Sequence, residues 1–286
     1  MSEERFCLIT GASRGLGRYL AERFWDWNWS LVLLARSRPA LAELIGTLGA
    51  RQGQSKHMIV ADLTQEGEIG QLGQGIRSLV PRLDVVINNA GIQGSIGPAW
   101  ENDWVEWMDT LRTNLLAPIS ISRLAVPWMI ANSGGSIINL SGGGATGPRA
   151  NFSAYATAKA GLVRFSETLA EELKPHNVRV NCIAPGAMRT SMLQDIVDKG
   201  EAAVGDREYN LARRVMAEGG APMDVVAELC NFLASDAARG ITGKLISAVW
   251  DDWRNWPEHV DELSASDVYT LRRIVGRDRG FSWGDK

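Results

Sequence analysis

The strongest constraint on this chain is a rhythm. Short aliphatic or β-branched runs recur along its length, each separated from the next by a segment with helical periodicity. Strands are expected at Arg5–Thr10, Leu31–Arg36, His57–Ala61, Asp84–Asn88, Ser136–Ser141, Arg179–Ala184 and Lys244–Val249. Helices are expected at Leu16–Trp27, Pro39–Leu48, Glu66–Leu79, Trp104–Ala131, Ala154–Leu173 and Met223–Ala234. Strands alternating with helices build βαβ units with right-handed crossovers, and so a parallel sheet covered on both faces. The expected class is α/β, a three-layer αβα fold whose middle layer is a doubly wound parallel sheet of about seven strands.

Composition narrows the function. Of 286 residues 45 % are hydrophobic and 22 % charged, which excludes a disordered chain, a collagen and a coiled coil. No uninterrupted apolar run approaches the roughly 18 residues of a membrane span, so no membrane partner is expected. The start, Met1-Ser2-Glu3-Glu4-Arg5, is acidic and runs into an apolar stretch, unlike a signal or transit peptide. Thirty basic against 33 acidic residues argue against nucleic acid as a partner. Cys7, Cys182 and Cys230 are odd in number and far apart, so a reducing, cytoplasmic setting is expected. His57, His176 and His259 have no metal-ligand spacing, and no metal is expected.

With no repeat and no linker, residues 1–249 read as one domain. Residues 250–286 read as an extension carrying Trp250, Trp253, Trp256 and Trp283 with Arg272, Arg273, Arg277 and Arg279. Tryptophan favours burial with its N–H satisfied, so the extension is expected to pack on the same domain or on a neighbouring subunit. Trp25, Trp27 and Trp29 read as packing. Trp100, Trp104 and Trp107 read first as helix packing, with roofing a pocket or stacking on a sugar as the alternative. Met188–Pro222 falls where a mobile substrate lid would lie.

The first strand ends in Thr10-Gly11-Ala12-Ser13-Arg14-Gly15-Leu16-Gly17, and a helix follows. A turn without side chains lets the backbone approach a pyrophosphate, and the helix N-terminus offers free N–H groups and a positive dipole end. The spacing is G-x-x-x-G-x-G, not the usual G-x-G-x-x-G. An NAD-binding fold places a carboxylate about 20 residues on, to hold the ribose 2′-hydroxyl. Here that place reads Leu34-Ala35-Arg36-Ser37-Arg38. Arg36 can pair with a 2′-phosphate, with Arg14 helping, which favours NADP over NAD. Otherwise Arg36 and Arg38 are solvated surface charges.

Four further segments fall in order: Asn88-Asn89-Ala90-Gly91, Asn114, Tyr155-Ala156-Thr157-Ala158-Lys159 and Pro185-Gly186-Ala187-Met188-Arg189-Thr190. With the glycine-rich turn they make the chain, from about Arg5 to Val249, resemble the single-domain, Rossmann-fold branch of the short-chain dehydrogenase/reductase family. The resemblance implies that Gly11, Ser13, Arg14, Gly15, Leu16 and Gly17 hold the cofactor phosphates. It implies that Asp62 and Leu63 contact adenine, that Asn89, Ala90 and Gly91 line a ribose, and that Pro185, Gly186, Met188 and Thr190 border the nicotinamide. It makes Tyr155, Lys159, Asn114 and a serine the catalytic set, with Lys159 also on the nicotinamide ribose and Asn114 anchoring a water. It implies a homodimer or homotetramer.

Tyr155 and Lys159 are four apart in a helical segment and share one face. A free phenol has a pKa of about 10. A nearby ammonium is expected to lower it and fit the pair to protonate a carbonyl oxygen. The family places its serine thirteen residues before the tyrosine, which here is Gly142; the nearest hydroxyl is Ser141. A one-residue shift in a strand turns a side chain to the other face. Ser141 is the substrate-oxygen donor if the glycine run bends it inward. Backbone N–H groups of Gly142–Gly144, Thr146 or Ser153 are the alternatives.

Arg207, Tyr209, Arg213 and Arg214 in the lid segment, with the arginines of the extension, tilt the expected substrate toward a polar or anionic one. A solvated helix is the plainer reading of the lid set. The function expected is an NADPH-dependent oxidoreductase that interconverts a small-molecule carbonyl and alcohol. The rivals are an epimerase or dehydratase of sugars that recycles its cofactor, and a cofactor-binding sensor without turnover.

Overall fold

The computed structural model describes residues 4–283; Met1–Glu3 and the last three residues of the extension lie outside them. The first half holds β1 (Phe6–Thr10), α1 (Gly15–Asp26), β2 (Ser30–Ala35), α2 (Arg38–Thr47), β3 (Lys56–Val60), α3 (Glu66–Leu79), β4 (Val85–Asn88), α4 (Trp104–Leu111) and α5 (Ala117–Ala131). The second holds β5 (Gly135–Leu140), α6 (Ser153–Leu173), β6 (Val178–Ala184), α7 (Ser191–Lys199), α8 (Glu201–Val204), α9 (Asp206–Glu218), α10 (Met223–Ala234), β7 (Leu245–Ser247) and α11 (Val260–Ala265).

All seven strands are parallel, in the order β3-β2-β1-β4-β5-β6-β7. Every residue of β1, β2 and β4 is buried, the mark of a sheet covered on both faces. The strand period of two divides them between two cores. In β1, Cys7 and Ile9 join Leu16, Leu20 and Phe24 of α1, while Phe6 and Leu8 join Ile121 and Ala125 of α5. The chain winds outward from β1 to β3, returns to β4 beside β1, and winds the other way. The helices that follow β1 and β4 therefore cover opposite faces of the sheet, and the crevice at this reversal is the place such sheets offer a ligand.

Two expectations need correction. The helix expected over Trp104–Ala131 is two helices joined by a π-turn at Arg112–Leu116, where the Ala117 N–H reaches back to the Arg112 carbonyl. Pro118 has no N–H to give the Asn114 carbonyl four residues back, so the α-helical ladder cannot run through. The same 28-residue stretch is long and apolar enough to cross a membrane by length and composition alone. Here its second half packs on α3, α6 and the sheet.

The last strand is shorter than Lys244–Val249. Ser247 donates its N–H to Asp251 Oδ2 at 2.7 Å, and Trp250 donates to Ser247 Oγ at 3.1 Å, turning the chain away. The lid segment is largely helical, comprising α7, α8 and α9.

Parts of residues 250–283 pack back against the sheet and its helices. Trp253 and Trp256 are buried in the core that holds α1 and α10, with Trp253 5.5 Å from the Phe232 ring. Leu245, on the outer strand, gives its N–H to the Tyr269 carbonyl at 2.8 Å, so the extension also covers the sheet edge. Trp250 and Trp283 are exposed. Trp25 and Trp29 are buried packing residues.

Candidate active site

The glycine-rich turn is shaped by close approach. Gly11 has φ +66°, and a Cβ there would stand 2.9 Å from Ala90 Cα. A Cβ on Gly17 would stand 2.1 Å from the Gly11 carbonyl oxygen. Gly17 thus lets α1 close on the turn and does not itself line the cleft. Among the described residues no side chain caps the first N–H groups of α1, and its first turn has no acidic residue. Thr10, which the sequence reading passed over, ties this turn to the one after β4. Its Oγ1 accepts the N–H groups of Asn89 at 3.1 Å and Ala90 at 3.0 Å. Asn89 Nδ2 donates to the Thr10 carbonyl at 2.9 Å. A threonine directly before the first glycine is the signal available for it.

A cleft of about 510 Å³ runs across the carboxyl ends of the strands. At one end lie Arg36, Ser37, Asp62 and Leu63, with Arg36 4.0 Å from Asp62. Its middle is lined by Gly11, Ser13, Arg14, Gly15 and Leu16 from one side and Asn89, Ala90 and Gly91 from the other. Its far end holds Ser141, Tyr155, Lys159, Pro185, Met188 and Thr190. Ile92, Thr113, Ser191 and Met192 line it too and were not anticipated.

Asn114 and Gly186 stand behind the wall. Asn114 is fully buried in the π-turn. It accepts the Ile92 N–H at 2.9 Å and donates to the Ile92 carbonyl at 2.8 Å, so its side chain fastens the loop after β4. Gly186 has φ +83°, and a Cβ there would meet Ala221 at 2.9 Å.

At the far end, α6 presents Tyr155 and Lys159 one turn apart, both buried. Lys159 Nζ donates to the Leu140 carbonyl at 2.7 Å and lies 5.6 Å from the Tyr155 ring centre. A Cβ on Gly142 would stand 2.5 Å from the Tyr155 hydroxyl. The position thirteen before the tyrosine therefore does touch the phenol but brings no hydroxyl. Ser141, beside it, is buried, lines the cleft and has an Oγ without a partner among the described residues. Thr146 is exposed, and Ser153 is engaged by Trp107 Nε1 at 3.0 Å. Of the side-chain hydroxyls considered, Ser141 is the one in the cleft.

The electrostatics differ from expectation. Burial pushes the Tyr155 phenol above its ordinary value, and the Arg149 guanidinium pulls against that. Burial pushes the Lys159 ammonium down to about 8. The ammonium does not bring the phenol below its ordinary range, because burial penalises the charged form of each group.

Over Tyr155 sits an apolar roof: Phe152, Ile196 of α7, Val204 of α8 and Ala212 of α9. Arg207, Arg213 and Arg214 are exposed and outside the cleft, as are the arginines of the extension. Trp104 is exposed and stacks on Trp107 at 5.1 Å, away from the cleft lining.

Comparison with known proteins follows the same outline. The profile of the short chain dehydrogenase family matches residues 5–201. The 3-oxoacyl-(acyl-carrier-protein) reductase FabG of Thermotoga maritima is 30 % identical over 246 residues, 85 % of this chain and 96 % of that protein. The structure of YwfH, an NADPH-dependent reductase involved in bacilysin biosynthesis, superposes with a TM-score of 0.76 at 28 % identity, covering 86 % of this chain and 96 % of that one. A short chain dehydrogenase of Escherichia coli CFT073, complexed with NADPH, gives 0.73 at 28 % identity, covering 86 % and 97 %.

Proposed function

The chain belongs to the short chain dehydrogenase family and is an NAD(P)-dependent oxidoreductase acting on carbonyl and alcohol groups, and from that premise we propose that it is an NADPH-dependent carbonyl reductase with Tyr155 as its general acid. One observation carries the reading. A single cleft at the switch point of the sheet joins the glycine-rich turn to Ser141, Tyr155 and Lys159.

A nicotinamide dinucleotide suits this cleft. The N–H groups opening α1 have no side-chain cap, and the turn comes too close to the β4 loop to admit a Cβ at Gly11. Gly11, Ser13, Arg14, Gly15 and Leu16 would hold its phosphates. Asp62 and Leu63 would meet adenine, and Asn89, Ala90 and Gly91 a ribose. Pro185, Met188 and Thr190 would border the nicotinamide, with Gly186 shaping their turn and Gly17 backing the cradle. Arg36 stands where an NAD-binding chain carries a carboxylate, which favours a 2′-phosphate and so NADP over NAD. The NADPH complex of the Escherichia coli relative supports the same choice. When bound, the cofactor supplies the hydride.

The chain's own residues handle the proton and the substrate oxygen. A phenol held protonated at neutral pH is a donor, the role reduction needs. Tyr155 gives its proton to the carbonyl oxygen as that oxygen becomes an alcohol, and takes it back in the reverse direction. Ser141 Oγ, buried and unengaged, donates a hydrogen bond to the same oxygen. Lys159, fixed by the Leu140 carbonyl, stands ready for the ribose and for resupplying the proton. Asn114 keeps the Ile92 loop in place beneath them. The apolar roof favours a ketone with apolar flanks over an anionic substrate.

The test is a fluorescence titration of the purified chain with NADPH and with NADH, then NADPH consumption against ketones, 3-oxoacyl thioesters and sugar-derived ketones. Tighter binding of NADPH and net consumption on an apolar ketone are expected. Failure to bind either nucleotide, or binding without net consumption on any carbonyl, overturns the reading.

A further inference from the structure

Arg149 lies outside every motif described above, yet it reaches the centre of the site. It precedes α6 in the loop that carries Gly142–Gly144. Its guanidinium carbon stands 3.8 Å from the Phe152 ring centre and 5.5 Å from that of Tyr155. Its Nε donates to Glu208 Oε2 at 2.8 Å, and both side chains are largely buried, at 12 % and 20 % exposure. Glu208 belongs to α9, part of the roof, so this ion pair is a strap from the roof to the loop beneath the phenol. The glycine run makes room for it: a Cβ on Gly144 would press on Ala156 at 2.7 Å and on Arg149 Cβ at 3.4 Å.

We propose that Arg149 is a positioning residue that, strapped to α9 by Glu208, couples the closed roof to the acidity of the Tyr155 phenol. The proposal rests on the assignment of Tyr155 as the proton donor. A guanidinium near the ring stabilises the phenolate, and a carboxylate bound to that guanidinium offsets part of the effect. Two cations stand over the Tyr155 ring, Arg149 at 5.5 Å and Lys159 at 5.6 Å. Lys159 approaches from its own helix, while α9 brings Tyr209 into the apolar cluster and Glu208 onto Arg149. Ile196 of α7, Val204 of α8 and Ile96 of the β4–α4 loop are apolar residues of the same cluster. Asp195 and Asp198 of α7 line an adjoining cleft with Arg14. Removing Arg149 withdraws the stabilising cation. Removing the charge of Glu208 leaves that cation without its offset. Both changes break the same strap, so a purely structural role makes the two variants behave alike, whereas the electrostatic role drives them in opposite directions.

The experiment titrates the phenolate absorbance of Tyr155 in the NADP-loaded protein, taken as the difference from Tyr155→Phe, in Arg149→Met, Arg149→Lys and Glu208→Gln. It needs no turnover, so its failure is distinguishable from failure of the reductase assignment. Arg149→Met is expected to titrate about one pH unit above wild type and Glu208→Gln below it, with Arg149→Lys near wild type. Should Arg149→Met fail to fold, the other two decide, because the lysine keeps the charge and the glutamine leaves it unopposed. Shifts of one sign in Arg149→Met and Glu208→Gln, or an unmoved titration in Glu208→Gln, overturn the proposal.

Discussion

The two ends of the cleft are built on different principles. The cradle between β1 and β4 is made of backbone: glycines too crowded for a Cβ, a helix start with no side-chain cap, and Thr10 clamping one turn to the other. The reaction end is made of side chains that meet only when distant segments close over them. Tyr155 is buried by residues of α7, α8 and α9, and that burial, not its helix neighbour, dominates its acidity. The cradle's glycines state their need in the local sequence, while side-chain chemistry is set by whatever packs above it.

The largest expected break falls on the backbone end. Gly17→Ala sets a methyl 2.1 Å from the Gly11 carbonyl oxygen, so NADPH binding should be lost outright in a fluorescence titration while far-UV circular dichroism is retained. The core behind that end comes next. Trp253→Ala should lower unfolding free energy by about 3–5 kcal/mol, and exposed Trp250→Ala should stay within about 0.5 kcal/mol, both read from urea midpoints.

The reaction end is sharpened by pH. The Lys159 ammonium titrates near 8 in the folded chain against 10.5 ordinarily. Between those values the unfolded chain holds the extra proton, so stability rises with pH across the window and the cost of burying the charge is present below it. Relative to Lys159→Met, wild type should gain about 3 kcal/mol from pH 8 to 10.5, measured by denaturant unfolding; parallel curves would remove the buried ammonium from the account. The smallest effect is one of selectivity. Arg36→Ala should weaken NADPH about tenfold and leave NADH unchanged, since one charge-assisted contact is at stake.

The same contrast explains what was legible in the sequence. The sheet and the cradle could be read because strand and helix periodicities are local, and because Gly11, Gly15 and Gly17 declare a backbone need by their spacing. The π-turn at Arg112–Leu116 escaped, since the apolar pattern runs on through Pro118. Ser141 could be named but not aimed, because the chain's path beyond β5 decides where it points. Arg149 gave no signal at all: its partner Glu208 lies 59 residues further on and only the roof brings them together. The shift of Tyr155 was misjudged for the same reason, as burial by α7–α9 cannot be read from a helix face.

We propose Tyr155 as the proton donor to the substrate oxygen. The most direct test compares Tyr155→Phe with wild type for turnover on a reducible ketone and for NADPH binding. Turnover in the variant is expected to be at least a hundredfold lower, the scale of a lost general acid, with NADPH affinity kept. Turnover near wild type in that variant would contradict it.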